Sequence, residues 1–305
     1  MSFSLKILGA NSAAPAHNRH QTSQLLTVQN QTFLIDCGEG TQMQLIKYKV
    51  KAQKINNIFI SHLHGDHYLG LMGLISTMHL QSRTNDLFIY GPPGLAEIIT
   101  LQLQYSQTIL NYKIRFQELD TSVKKVILED PVLEVETIPL NHRIGCAGFL
   151  FREKPKKRRI IKEKLPDGIS LQEILSLKNG EHIYDEDDKV LFENENLTLP
   201  PRKSRSYAYC SDTKYEENII EQIKNVDLLY HESTFLSDRE DRAAHTFHST
   251  AKQAATIAKK AEVGQLLLGH YSIRYRELQP LLDEAKQVFA NVSLALEGET
   301  IEIQD

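Results

Sequence analysis

Six consecutive residues constrain this chain more than any other stretch: His62-Leu-His64-Gly-Asp66-His67. They hold three imidazoles and one carboxylate, and neutral imidazole nitrogen and carboxylate oxygen are suitable ligands for zinc. Four such groups exceed what one four-coordinate ion takes from one short segment, so the pattern predicts a site for two ions. A surface turn that merely carries histidines is the alternative. Protonated imidazoles this close would repel one another, and the flanking segments are apolar, so a metal site is the better interpretation.

Further candidate ligands follow strand-like runs elsewhere in the chain. Residues 56–61 predict a short buried strand that delivers the six-residue cluster, and ligand sites in α/β sheets lie at the carboxyl ends of strands. Three other short apolar runs end in His142, Asp212 and His270, and this recurrence makes each a candidate ligand. Because a carboxylate has two oxygens, Asp212 can bridge two ions. Asp36 also ends a strand, where it can cap a helix or hydrogen-bond a neighbouring histidine.

Composition limits the class of protein. The chain has 305 residues, is 41% hydrophobic and 24% charged, and carries a formal net charge of -4. That charge gives no general attraction to nucleic acid, so any such binding requires a local basic patch. No run reaches the roughly 20 apolar residues that span a bilayer, and the first residues lack a signal-peptide pattern, so we expect a cytoplasmic protein without membrane contact. Cys37, Cys146 and Cys210 are expected to be buried free thiols.

The dense histidine pattern resembles the HxHxDH signature of the metallo-β-lactamase superfamily. This resemblance implies an α/β fold, an αββα sandwich, over residues 1–305 as a single domain. The resemblance becomes more specific with two further motifs, His231-Glu-Ser-Thr234 and His248-Ser-Thr250. Together with the candidate ligands, these motifs resemble those of the short form of the ribonuclease Z family, and the resemblance covers nearly the whole chain. That family cleaves precursor transfer RNA at the 3′ side, and its members are homodimers.

The resemblance also implies a role for each candidate residue. His62, His64 and His142 would hold one Zn²⁺ of each subunit, and Asp66, His67 and His270 the other, with Asp212 as the bridge. Asp66 would also orient and deprotonate the attacking water. His248 is the candidate proton donor to the departing 3′-oxygen, and a helix-capping or core histidine is the alternative. The segment 15–20 resembles the family's PxKxRN loop, but its two histidines depart from that pattern, and only Arg19 carries over as an RNA-binding candidate.

A basic segment follows the strand after His142. Between Arg152 and Lys164 lie eight basic and two acidic side chains, a local net charge of +6, and the stretch 181–196 is strongly acidic. The segment 152–180 corresponds in position to the family's flexible, projecting substrate-binding arm, although a solvated extension with paired charges remains the alternative. A basic arm suits a sequence-independent grip on RNA phosphates. The candidates are Lys154, Lys156, Lys157, Arg158 and Arg159.

Together with this resemblance, these observations predict a zinc-dependent endoribonuclease. The resemblance implies that it removes the 3′ trailer from precursor transfer RNA by attack of activated water on a phosphodiester, and leaves a 3′-hydroxyl on the transfer RNA. The main alternative is a binuclear phosphodiesterase for small or cyclic nucleotide diesters, which would not require the basic arm. A thioesterase or lactamase needs no polynucleotide grip, and a non-catalytic RNA-binding protein would not need the full ligand set. Related iron-dependent oxidoreductases typically have an acid in place of His64.

Overall fold

The computed structural model describes residues 2–304, and most of its strands belong to two seven-stranded sheets. The strands of the first half of the chain are β1 (Phe3–Gly9), β2 (Ser23–Val28), β3 (Gln31–Ile35), β4 (Ile55–Phe59), β5 (Leu87–Gly91), β6 (Ile114–Glu118), β7 (Val126–Glu129), β8 (Leu133–Leu140) and β9 (Cys146–Glu153). The later strands are β10 (Arg159–Ile160), β11 (Ile183–Tyr184), β12 (Val190–Phe192), β13 (Thr198–Leu199), β14 (Ser206–Cys210), β15 (Leu228–Glu232), β16 (Gln265–Gly269), β17 (Val292–Leu294) and β18 (Thr300–Glu302).

Each of the two sheets combines strands from distant parts of the chain. The first is β18-β1-β2-β3-β4-β5-β6, and the second is β17-β16-β15-β14-β9-β8-β7. In the first sheet β3 to β6 run parallel, and in the second β14 to β17 do so. Parallel neighbours align their carboxyl ends at one edge, which is where the loops after β3, β4, β14, β15 and β16 emerge.

Aromatic side chains from both sheets fill the space between them. The ring of Phe33 on β3 lies 5.7 Å from that of Phe151 on β9. Phe59 on β4 contacts Phe149 at 5.3 Å between centroids and stacks on Tyr90. These rings are buried, and large apolar groups removed from water on facing sheets are the main force that holds such layers together.

Helices cover the outer faces of both sheets, as the αββα prediction requires. Helices α1 (Thr41–Lys47), α2 (Gly65–Tyr68), α3 (Leu71–Leu80) and α4 (Leu95–Tyr105) belong to the half of the chain that builds the first sheet, α5 (Leu171–Asn179) and α6 (Asn194–Leu197) follow β9, and α7 (Glu240–Thr246), α8 (Ala251–Lys260) and α9 (Gln279–Lys286) accompany the second sheet. Helix α8 presents small side chains to β15 and β16 and begins with a capping box from Thr250 and Gln253. Helix α2 ends at Tyr68 and α3 begins at Leu71, so Leu69 and Gly70 separate the two helices.

An insertion between β9 and β14 folds as a small lobe with its own apolar cluster. It contains β10 to β13, α5 and α6, and buries Leu177, Ile183 and Leu197 against one another. The structure draws its limits differently from the predicted arm of 152–180, because Arg152 and Glu153 still pair in β9 and the lobe continues to residue 205. The acidic stretch therefore belongs to the same lobe as the basic one.

No helix within residues 2–304 is long and apolar enough to cross a membrane. All three cysteines are buried and free, as the sequence predicts.

Candidate metal centre

The candidate ligands come from four segments of the chain that meet at one edge of the sandwich. His62 and His64 follow β4, Asp66 and His67 lie in α2, and His142 lies in the β8–β9 turn. The other two candidates, Asp212 and His270, follow β14 and β16. The structure thus brings all seven predicted ligand residues together, although they span more than two hundred positions of the sequence.

Four ligand atoms define a first set. His62 Nε2 and His142 Nε2 each lie 3.1 Å from His64 Nδ1. Both Nε2 atoms also lie 3.6 Å from Asp212 Oδ2. Ligands about 2.0–2.1 Å from one tetrahedral zinc ion are about 3.3 Å apart, so these spacings fit one ion.

A second set uses the other oxygen of the shared carboxylate. His67 Nε2 lies 3.3 Å from Asp212 Oδ1 and 3.4 Å from Asp66 Oδ2. His270 Nε2 lies 3.1 Å and 3.5 Å from the same two oxygens. Asp212 therefore offers one oxygen to each set, which is the arrangement of a bridging carboxylate.

Two orphaned nitrogens support a metal at this second set. Nε2 of His67 and Nε2 of His270 are buried, and neither makes a hydrogen bond to any residue in the range 2–304. Buried polar atoms without a partner are costly, so such atoms usually face an ion or a water. Both nitrogens face two carboxylate oxygens, which is a donor set suited to a divalent cation rather than to an anion.

Outer hydrogen bonds fix the orientation of the ligand rings. Asp36 Oδ2 accepts a hydrogen bond from His67 Nδ1 at 2.7 Å, which leaves Nε2 free to face the centre. The sequence predicted that Asp36 could serve a neighbouring histidine in this way, and the structure confirms it. His142 Nδ1 faces the carbonyl of Phe247 at 2.9 Å, and His270 Nδ1 lies 3.0 Å from Thr234 Oγ1.

Backbone strain is concentrated at the same edge. Asp36 (φ 53°), Phe247 (φ 62°) and His270 (φ 56°) have left-handed backbone conformations although none is glycine. Such conformations cost free energy and persist where surrounding contacts determine them, often at functional sites. Here each one lies next to, or is, a residue that faces the candidate centre.

Charges within the centre control its ionisation. Burial alone would raise the pKa of the Asp66 carboxyl, but His67 and His270 outweigh that effect and hold the pKa below its usual range. Burial lowers the pKa of His62 well below its usual value. The carboxylates are therefore ionised and His62 is neutral at neutral pH, and these are the forms that bind metal.

Comparisons with known proteins address the family directly. Two family models match parts of the chain, the anti-Pycsar protein Apyc1 model over residues 3–143 and the β-lactamase superfamily domain model over residues 197–271. A ribonuclease Z of Cytophaga hutchinsonii is 52% identical over 305 residues, covering 100% of this chain and 97% of that protein. A ribonuclease Z of Bacteroides fragilis is 47% identical, with 97% of each covered.

The chain belongs to the ribonuclease Z family. The crystal structure of the short form of human tRNase Z superposes on it with a TM-score of 0.72 at 27% identity, covering 99% of this chain and 100% of that one. The predicted family and metallo-β-lactamase fold are thereby confirmed, and so is the predicted class, a metal-dependent endoribonuclease.

The structure also supplies the partner of His248, which the sequence alone left open. Glu232 ends β15, is fully buried, and lies with Oε1 2.8 Å from His248 Nδ1. Burial would lower the pKa of His248, but the Glu232 carboxylate outweighs it and raises the pKa of His248 to about 9. His248 Nδ1 is 4.0 Å from Asp212 Oδ2, but its hydrogen bond to Glu232 makes this nitrogen unavailable as a ligand.

The RNA-binding candidates lie in two separate places. Residues 154–159 surround a cavity of ≈ 680 Å³ at the base of the inserted lobe, together with Lys178 and Arg202. Lys157 and Arg159 are exposed there, whereas Lys156 pairs with Glu153 at 2.7 Å. Half-buried Lys154 pairs with Glu129, and Arg158 Nε donates to Thr198 Oγ1 at 2.8 Å.

Arg19 lies at the metal-site edge of the sandwich, where its guanidinium forms hydrogen bonds within the protein. Its Nε donates to Asn11 Oδ1 at 3.0 Å, and its two terminal nitrogens donate to the carbonyls of Tyr275 and Arg276. This clamp ties the loop between β1 and β2 to the segment after His270. Ala13 in the same loop donates its backbone N–H to Asp66 Oδ2 at 2.7 Å.

Proposed function

We propose that this chain holds two Zn²⁺ ions and cuts precursor transfer RNA immediately after the discriminator nucleotide, the unpaired nucleotide that follows the acceptor stem. The products are a transfer RNA with a 3′-hydroxyl and a trailer with a 5′-phosphate. The bridging position of Asp212 between two ligand sets is the observation that carries the proposal, since paired metal ions suit in-line displacement at a phosphodiester.

The two sets of neighbouring ligand atoms give the assignment of residues to the two ions. His62, His64 and His142 would hold one zinc, and Asp66, His67 and His270 the other, with Asp212 shared. Bound there, the two ions would neutralise charge on the phosphate and lower the pKa of the attacking water toward about 7.

Asp66 and His248 would handle the protons of the reaction. Asp66 stays ionised, so its carboxylate can accept the hydrogen bond of the attacking water and then its proton. His248 is protonated below about pH 9, so its Nε2–H can be given to the departing 3′-oxygen while Glu232 holds Nδ1. A protonated donor beside the leaving oxygen avoids release of an alkoxide.

We further propose that the basic lobe holds the substrate and does so across a homodimer. The segment 154–159 begins where β9 ends, whereas His142 precedes β9, so eight strand residues separate them by roughly 25 Å. A side chain at that distance cannot act at its own subunit's metal centre, whereas it can grip the body of a transfer RNA held by a partner subunit. Exposed apolar residues on the helical face of the first sheet, Met43, Ile46, Leu101 and Tyr105, support association of two copies.

The rival substrate class is small or cyclic nucleotide diesters. We expect kcat/KM for a precursor transfer RNA to exceed that for bis-p-nitrophenyl phosphate by several orders of magnitude, because only the RNA reaches the basic lobe. Steady-state assays of both substrates with the metal-loaded protein measure this ratio. A higher kcat/KM for a small or cyclic diester would establish the rival.

A further inference from the structure

A second cavity adjoins the metal centre across His248. It has a volume of ≈ 450 Å³, and it shares Ser12, Ala13 and His248 with the cavity over the metal ligands. Its remaining walls come from the residues after β15, from α7, and from the segment after β16: Thr234, Phe235, Arg242, Thr246 and 272–274. No step of the mechanism above uses this space.

We propose that this second cavity is the subsite for the discriminator nucleotide and the phosphate on its 5′ side. The inference rests on the proposed function, and specifically on His248 as the proton donor. Beyond that function, it states that the retained transfer RNA strand and the trailer lie on opposite sides of the metal centre, and it names the residues that hold the retained strand.

The geometry of the reaction indicates on which side of His248 the retained strand of the substrate lies. In an in-line displacement the attacking and leaving oxygens lie on opposite sides of the phosphorus. The proton donor must lie within hydrogen-bond reach of the leaving oxygen, which here is the 3′-oxygen of the discriminator nucleotide. Since His248 separates the two cavities, the nucleoside attached to that oxygen lies on the second-cavity side. His64, Gly65 and Leu69 line only the metal cavity, which leaves that end for the trailer.

The charges of the second cavity suit a phosphate. Arg242 on α7 and Arg274 after β16 are both exposed, and neither guanidinium makes a hydrogen bond or ion pair with any other residue of 2–304. No carboxylate is among its lining residues in that range. Two unpaired guanidinium groups that line one cavity can hold one phosphate between them. The exposed side chain of Ile273 adds an apolar surface for a base or ribose.

The wall that carries Arg274 is held in place before substrate binds. His17 Nε2 lies 2.8 Å from the carbonyl of Ile273, and Arg19 binds the carbonyls of Tyr275 and Arg276. Ser12 N donates to the carbonyl of Tyr271 at 2.9 Å. A subsite fixed in this way loses little conformational entropy on binding.

A paired substitution of protein and substrate tests the assignment. The metal-loaded full-length protein carrying R242Q and R274Q is compared with wild type and with a K259Q/K286Q control, which removes two exposed positive charges on α8 and α9. Precursor transfer RNA is prepared with one neutral methylphosphonate, either on the 5′ side of the discriminator or between the first two trailer nucleotides. KM is measured for all precursors, and Kd for the transfer RNA product with and without the methylphosphonate before the discriminator, which requires no cleavage.

The proposal predicts energetic coupling between the two arginines and the phosphate before the discriminator, and no coupling between the arginines and the trailer phosphate. The methylphosphonate before the discriminator should weaken binding to wild type and to the control at least tenfold, and should not weaken binding to the R242Q/R274Q variant further. The trailer modification should affect all three proteins equally. Loss of this one phosphate contact should also reduce the log–log salt slope of product binding by about 0.7–0.9.

Two results would overturn the subsite. Coupling between the arginines and the trailer methylphosphonate would place the trailer in this cavity, and full additivity at both positions would mean that the arginines hold no phosphate. Either result leaves cleavage by wild type intact, so the subsite would fail alone. A wild-type protein that fails to cut precursor transfer RNA would instead reject the proposed function, while product Kd would still decide the subsite.

Discussion

At the scale of single residues, the pair formed by Glu232 and His248 makes the clearest prediction. In E232Q the negative charge that raises the pKa of His248 is lost, while a hydrogen bond to Nδ1 is retained. The acid must be protonated to act, so wild-type activity should fall as pH rises through the pKa of His248. The alkaline limb of log kcat against pH should therefore move to lower pH in E232Q. An unshifted limb, with metal content unchanged, would exclude His248 as the proton donor.

Asp36 makes a second residue-scale prediction, this time about metal affinity. D36N removes the carboxylate that orients His67 at 2.7 Å, so the zinc Kd should rise roughly 10–100-fold. Zinc titration followed by competition with a chelator measures this Kd, and circular dichroism checks that the fold is retained. Equal zinc affinity in D36N and wild type would mean that the Asp36 carboxylate has no effect on the metal.

The sequence indicates some of these residues and not others, and the difference has physical reasons. The ligand histidines are recognisable because four ligand groups crowd into residues 62–67, and because His142, Asp212 and His270 follow predicted strands. Glu232 is the last residue of a strand, β15, that was not predicted, and its hydrogen bond with His248 joins residues sixteen positions apart. The clamp formed by Arg19 spans more than 250 positions, so no local pattern could indicate it.

At the scale of elements, the inserted lobe carries the prediction about RNA affinity. Neutralising Lys157 and Arg159, which are exposed at the basic cavity, should weaken precursor binding and lower its log–log salt slope by about 0.7–0.9 for each phosphate that is no longer bound. Lys224 and Lys259, exposed elsewhere, provide a charge-matched control pair. Fluorescence anisotropy at several salt concentrations measures both quantities. An affinity and slope equal to those of the control variant would make the lobe a solvated extension.

Elements differ in how well the sequence predicted them. Buried strands such as β4, β14 and β16 were predicted within about two residues, since short apolar runs before polar ligands are distinctive. The lobe was predicted as a projecting arm, whereas the structure folds residues 154–205 around Leu177, Ile183 and Leu197. Those three side chains are twenty residues apart at most, but charged residues between them obscure any helical or strand period in the sequence.

At the scale of the whole molecule, the distance between lobe and metal centre predicts cooperation between subunits. A subunit with neutralised Lys157 and Arg159 and a D212A subunit should each cleave precursor poorly, but heterodimers of the two should regain part of the activity. Such heterodimers hold one site with intact ligands and one intact lobe on its partner. Coexpression with two affinity tags isolates them. Heterodimers no more active than the average of the parents would contradict cross-subunit presentation.

This chain is a metal-dependent endonuclease of the ribonuclease Z family, which frees the 3′ end of transfer RNA. The most direct measurement is incubation of the pure protein with a 3′-extended precursor, followed by mapping of both product ends. We expect one cut after the discriminator, a 3′-hydroxyl on the transfer RNA and a 5′-phosphate on the trailer, with activity lost on chelation and restored by zinc. Cleavage elsewhere, a 3′-phosphate on the transfer RNA, or undiminished activity after complete metal removal would contradict this reaction and its dependence on metal.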